Sequence, residues 1–178
     1  MKIIDLLRRI SQNPWYWRSY LAGGMVMLVI ALFFQHVLEY PPCIMCIQVR
    51  LLFTLLVIVS IAGLLNYHLG GANRAVSLVS HLSVVLIAAS MLERSYMLLG
   101  TERGFVFADC GFDLGMPAWF DIERWLPSLY RVESSCGYTP EIIFGITMAE
   151  LLMVLSVILL TLSVSVFIAA LIPGKTKE

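Results

Sequence analysis

Two cysteines, Cys43 and Cys46, stand two residues apart in the stretch "PPCIMCIQVR", and Arg50 follows the second by four. A thiol pair at this spacing can cycle between dithiol and disulfide, with the thiolate as the attacking species. Pro41 and Pro42 cannot continue a helix but suit its start, which predicts that C-x-x-C lies in the first turn of a helix. There the unpaired amides and the helix dipole favour an anion, and such thiols ionise between about 3.5 and 7.5 rather than near 8.5. Cys46 is the better placed to persist as the thiolate, with Arg50 on the same face one turn deeper.

A second pair, Cys110 and Cys136, flanks the segment "MPAWFDIERWLPSLY". That segment reads as a short amphipathic helix: Trp119, Phe120, Ile122, Trp125, Leu126 and Leu129 oppose Asp121, Glu123 and Arg124. An exposed loop disulfide between mobile flanks would be open to a thiolate from another protein. Four cysteines allow three pairings, and one disulfide per loop is the simplest.

The elements that position these residues are membrane spans. The chain has 178 residues, 60% of them hydrophobic and 13% charged, far from the half-apolar mix of a soluble domain. Net charge is zero and no basic block stands out, which excludes a nucleic-acid footprint. Several apolar runs reach the ~20 residues that a helix needs to cross a bilayer. The expected fold is an all-α integral membrane protein, a bundle of four transmembrane helices. Its parts are a terminal segment 1–14, a first span 15–37, a short loop 38–46 carrying C-x-x-C, and a second span 47–65. A loop 66–74, a third span 75–99, a long loop 100–141, a fourth span 142–171 and a tail 172–178 complete it. The N-terminal segment "MKIIDLLRRI" reads as a helix on the membrane surface rather than a cleaved signal, for no small-x-small site follows.

Lys2, Arg8, Arg9, Arg18, Arg74, Lys175 and Lys177 fall on the side of the termini. The first loop has no Lys or Arg before its cysteines, and the long loop has Arg103, Arg124 and Arg131. Basic residues in short loops mark the cytoplasm, so both termini are expected there and all four cysteines outside it, where disulfides persist. Arg50 at the edge of a span costs up to ~3 kcal/mol unless it has a partner. Between a stabilised thiolate and a buried cation, a flat, electron-poor, lipid-soluble molecule fits: a membrane quinone, with the arginine donating to a ring carbonyl.

Together, "FFQHVLEYPPCIMCIQVR", the four-span pattern, the second cysteine pair and "PAWFDIERWLP" resemble the DsbB family of inner-membrane disulfide bond formation proteins, over most of the chain. The resemblance implies a bacterial inner-membrane oxidase of a DsbA-like periplasmic dithiol protein, with ubiquinone or menaquinone as electron acceptor. It implies that the partner attacks a Cys110–Cys136 disulfide at Cys110. Cys136 then attacks Cys43, and Cys46 is left as a thiolate against the quinone beside Arg50. Gln48 and Val49 depart from the family, where some members have a tyrosine and an acidic residue, and so put a proton-handling carboxylate in doubt. A histidine of some relatives near the outer end of the third span has no counterpart; Glu93, Arg94 and Tyr96 stand there. The stretch "GYTPEIIFG" also reads shorter than the family's.

Two other classes fit parts of the pattern. A metal-binding or metal-transfer protein could use the four cysteines, although twenty-five residues between Cys110 and Cys136 weaken it. A non-catalytic scaffold with two structural disulfides is the other. Glu150 inside the last apolar run reads as an interfacial residue, with a proton-transfer role or a pair with Arg94 as the alternatives. His36 reads as interfacial rather than a proton relay, His68 and His81 as structural, and the nine methionines as packing.

Overall fold

The computed structural model describes the chain except residues 1, 12, 70–73, 108–110, 112–120, 137–138, 144 and 173–178; Cys110 and the start of the expected amphipathic helix lie outside the described residues. The elements are α1 (Lys2–Ser11), α2 (Pro14–His36), α3 (Ile44–His68), α4 (Arg74–Glu102), α5 (Ile122–Trp125), α6 (Pro127–Tyr130), β1 (Glu141–Ile143), β2 (Ile146–Thr147) and α7 (Met148–Leu171). Four of them, α2, α3, α4 and α7, are long and apolar enough to cross a membrane.

Local chemistry fixes where these helices start. Asn13 caps α2 by accepting from the Trp15 amide, and Pro14 fills its first position. Thr147 and Glu150 form a reciprocal capping box at the start of α7. The fourth span, expected from residue 142, therefore begins as helix only at Met148. Ahead of it β1 and β2 pair antiparallel across Gly145, whose φ of 77° is the left-handed conformation glycine adopts without strain. α3 and α4 run about a turn past their apolar runs, because a helix's own hydrogen bonds do not stop where the hydrocarbon does.

Neighbouring spans pack as α2 on α3, α3 on α4 and α4 on α7, and α1 lies against α7. Lipid is as apolar as leucine, so close approach and buried polar pairs hold such a bundle. The Trp17 ring lies on Gly63, where an added Cβ would come within 2.4 Å of it. Ser95 of α4 meets Ser156 of α7 at 3.0 Å, with both residues buried. His81, buried, stacks on Tyr16 and meets Trp17 edge-on, tying α4 to α2. Val29, Phe33, Ile58, Leu86 and Val154 face outward, as a lipid-exposed surface requires.

The described part of the long loop folds over the end of the bundle that carries Cys43 and Cys46. It breaks the expected single helix into α5 and α6, parted at Leu126 (φ −135°, ψ 65°). Pro127 pushes the residue before it out of the helical region and brings no N–H of its own. Glu102, at the end of α4, accepts from Thr139 (2.7 Å) and Thr147 (3.3 Å) and so fastens the hairpin. Glu150 pairs with Arg103, not with Arg94, because the capping box holds its carboxylate at the helix end, level with the top of α4.

Candidate functional site

Cys43 is the N-cap of α3 and is buried; its sulfur accepts from the Cys46 amide at 3.4 Å. Cys46 is at the third helical position, so one turn stacks the two sulfurs 2.8 Å apart, and both are free thiols. The hydrogen bond from Cys46, and after it the amides of the first turn, hold the Cys43 thiol down at about 7 against the upward push of burial. In the reduced pair Cys43 thus ionises more readily than an ordinary thiol. The cap position puts the Cys43 sulfur against the free Cys46 amide of the first turn.

One turn below, Arg50 is buried and nearly saturated. Its Nη1 donates to Gln35 Oε1 (2.7 Å) and to the Leu129 carbonyl (2.5 Å), and its Nη2 to the Ala31 carbonyl (3.4 Å). Its Nε is buried without a partner among the described residues. A cavity of about 280 Å³, near the small end of ligand sites (~300–1,000 Å³), is lined in part by Arg50. Cys46, Arg50, Phe34, Val49, Phe53 and Leu152 are among its walls. A second, more apolar cavity of about 610 Å³ continues between α2 and α7, sharing Met27 and Phe53 with the first.

Cys136 is half-buried, disulfide-bonded and packed against the core. The segment before it pairs with the first loop. The Glu133 and Ser134 amides donate to the Pro42 carbonyl at 3.0 and 3.2 Å, and Cys43 and Ser134 form a parallel bridge. The structure thus brings Cys43, Cys46, Arg50 and the flank of Cys136 together; Cys110 lies outside the described residues. Gln35 and the Leu129 carbonyl were missed by sequence reasoning. Gln35 had a signal, a polar residue among apolar ones near the C-terminal end of a span, whereas a backbone carbonyl has none. Among the described residues no three His, Cys, Asp or Glu side chains cluster as metal ligands.

The family model described as "Disulfide bond formation protein DsbB" matches residues 13–166. The chain belongs to the DsbB family. Among its curated relatives, Disulfide bond formation protein B of Shewanella loihica is 29% identical over 177 residues, covering 97% of this chain and 99% of the relative. Disulfide bond formation protein B 2 of Pseudomonas aeruginosa is 27% identical over 82% of this chain and 85% of its own. Disulfide bond formation protein B of Yersinia enterocolitica is 23% identical over 99% of this chain and 98% of its own. This DsbB-family chain is thus a multi-pass membrane protein of disulfide bond formation. Of the two residues that depart from the family pattern, Val49 forms part of the cavity wall and Gln48 has its Oε1 buried without a partner among the described residues.

Proposed function

We propose that this protein is a thiol:quinone oxidoreductase of a bacterial inner membrane that reoxidises a DsbA-like periplasmic dithiol protein. The observation that carries the reading is that Cys46 and the buried Arg50, whose Nε has no partner among the described residues, line one apolar cavity. An orphaned buried donor costs about 1–3 kcal/mol, and a quinone carbonyl would relieve it; the adjoining cavity suits a long apolar tail. The donor set therefore fits a quinone head group, ubiquinone or menaquinone, held by Arg50 and Cys46. When bound, the quinone supplies the chemistry that thiols lack, taking up two electrons and two protons.

The thiol steps conserve electrons until that point. A partner thiolate attacks the disulfide of Cys110 and Cys136 at Cys110, and Cys136 leaves as a thiolate. Cys136 attacks Cys43 of an oxidised Cys43–Cys46 pair, and Cys46 leaves in turn. With Cys43 so engaged, Cys46 is the remaining thiolate, beside the arginine that favours it. The second partner thiol releases Cys110, and the partner departs oxidised. A DsbA-type partner near about −120 mV demands an acceptor stronger than ordinary dithiols, since ~30 mV corresponds to about 1.4 kcal/mol. Basic-residue bias supports cytoplasmic termini and periplasmic cysteine loops.

Mixing purified protein with a reduced DsbA-like protein and a soluble quinone should bleach the quinone absorbance, and Cys46→Ser should abolish the bleaching. A partner that stays reduced beside unchanged quinone refutes the reading. Stoichiometric zinc lost on cysteine substitution would favour a metal site instead, and a Cys46→Ser protein altered only in stability would favour a scaffold.

A further inference from the structure

The arm from Leu129 to Cys136 touches the cysteine-bearing helix and the loop before it at three heights. Nearest the cysteines, Ser134 Oγ donates to the Pro41 carbonyl at 2.8 Å, beside the amide bonds to Pro42. One turn below Cys46, the Leu129 carbonyl accepts from Arg50. Deepest, the hydroxyl of buried Tyr130 meets Thr54 Oγ1 at 2.7 Å. Thr54 gives its own proton to the Arg50 carbonyl at 3.0 Å, so the phenol is the donor in that pair.

The bridge at Ser134 lies two residues before Cys136, so the docked arm brings the flank of Cys136 to Cys43 while Cys136 is held in a disulfide of its own. A disulfide between them needs Cα atoms ~4.4–6.8 Å apart, which makes the placing of the arm decisive.

We propose that Tyr130, Thr54 and Ser134 are positioning residues for disulfide transfer between the loops. They dock the arm so that Cys136, once released, meets Cys43. Because Leu129 lies on the same arm, docking also fixes the guanidinium, so thiol transfer and the quinone contact are set by one conformation. The inference rests on the oxidoreductase reading. In the step itself the Cys136–Cys43 bond forms as the Cys43–Cys46 bond breaks, Cys46 leaves as a thiolate, and no net oxidation occurs.

The test uses full-length protein with Cys46→Ala and Cys110→Ala, so that Cys43 and Cys136 are the remaining thiols. The equilibrium constant of their disulfide against glutathione is read by thiol trapping, with no quinone or partner present. One hydrogen bond lost, at about 1 kcal/mol net, predicts a roughly fivefold fall for Tyr130→Phe and for Thr54→Val. The double variant should fall no further than either single one, since both remove the same bond. Ser134→Ala should fall similarly and guards against a misfolded Tyr130 variant. In the four-cysteine protein, Tyr130→Phe should raise the KM for quinone by about the same factor. Constants within twofold of the parent in all variants would overturn the positioning role, and an unchanged KM would overturn the link to Arg50. Wild-type protein that reduces no quinone refutes the oxidoreductase reading separately, because the glutathione equilibrium is measured without it.

Discussion

Replacing Arg50 by lysine keeps the charge and removes the geometry. The guanidinium serves three protein acceptors, Gln35 Oε1 and the Leu129 and Ala31 carbonyls, and its Nε has no partner among the described residues. An ammonium is a single nitrogen on a flexible stem and cannot reach those acceptors and the cavity at once. If a quinone carbonyl takes Nε, Arg50→Lys loses a charge-assisted bond worth about 1.5–3 kcal/mol. At about 1.4 kcal/mol per decade, the KM for quinone should rise ~10–100-fold. Arg50→Met should be at least as impaired, and both should lose stability because buried acceptors are left bare at about 1–3 kcal/mol each. The assay is initial quinone reduction against quinone concentration, with reduced partner in excess, alongside single-turnover oxidation of the partner without quinone. The second rate should hold, since the first exchange is at Cys110. A KM within threefold of wild type in both variants would refute the assignment of Nε to the quinone.

Four further outcomes follow from the geometry. Alkylation of Cys43 in the reduced protein should titrate with a midpoint at about 7, and Cys46→Ala, which removes the hydrogen bond that is the main cause, should move it upward. The folded value lies below the ordinary thiol's, so Cys43 contributes stability that is complete above about 9 and lost as pH falls through about 7; chemical unfolding of the reduced protein across that range checks the sign. Gly63→Ala drives a Cβ into the Trp17 ring and should cost about 1–3 kcal/mol in thermal unfolding, with the thiol titration unchanged. Thr147→Ala removes the cap of α7 and a bond to Glu102 and should cost about 1 kcal/mol by the same measure.

Several features were legible because they depend on local chemistry or on summed apolarity. The four spans follow from runs that hydrocarbon selects by length, and the start of α3 from two prolines before a capping cysteine. Arg50 drew notice because a cation at that depth is costly. The hairpin before α7 was hidden, since "EIIFGIT" is as apolar as the span it precedes and only the Thr147 to Glu150 capping box divides them. The break at Leu126 was written in Pro127, but the amphipathic pattern on both sides outweighed it.

The sequence by itself determined which atoms could react and where the bilayer would place them, because thiol spacing, prolines and hydropathy act along the chain. Tertiary structure alone decided what surrounds them. Arg50 is held by Gln35 from α2 and by a carbonyl from a loop seventy-nine residues away, and the residue helps line an apolar cavity. Such partners are chosen by packing in three dimensions, and a backbone carbonyl is the same group in every residue. No reading along the chain could single out Leu129; only the folded arm brings its oxygen to the arginine.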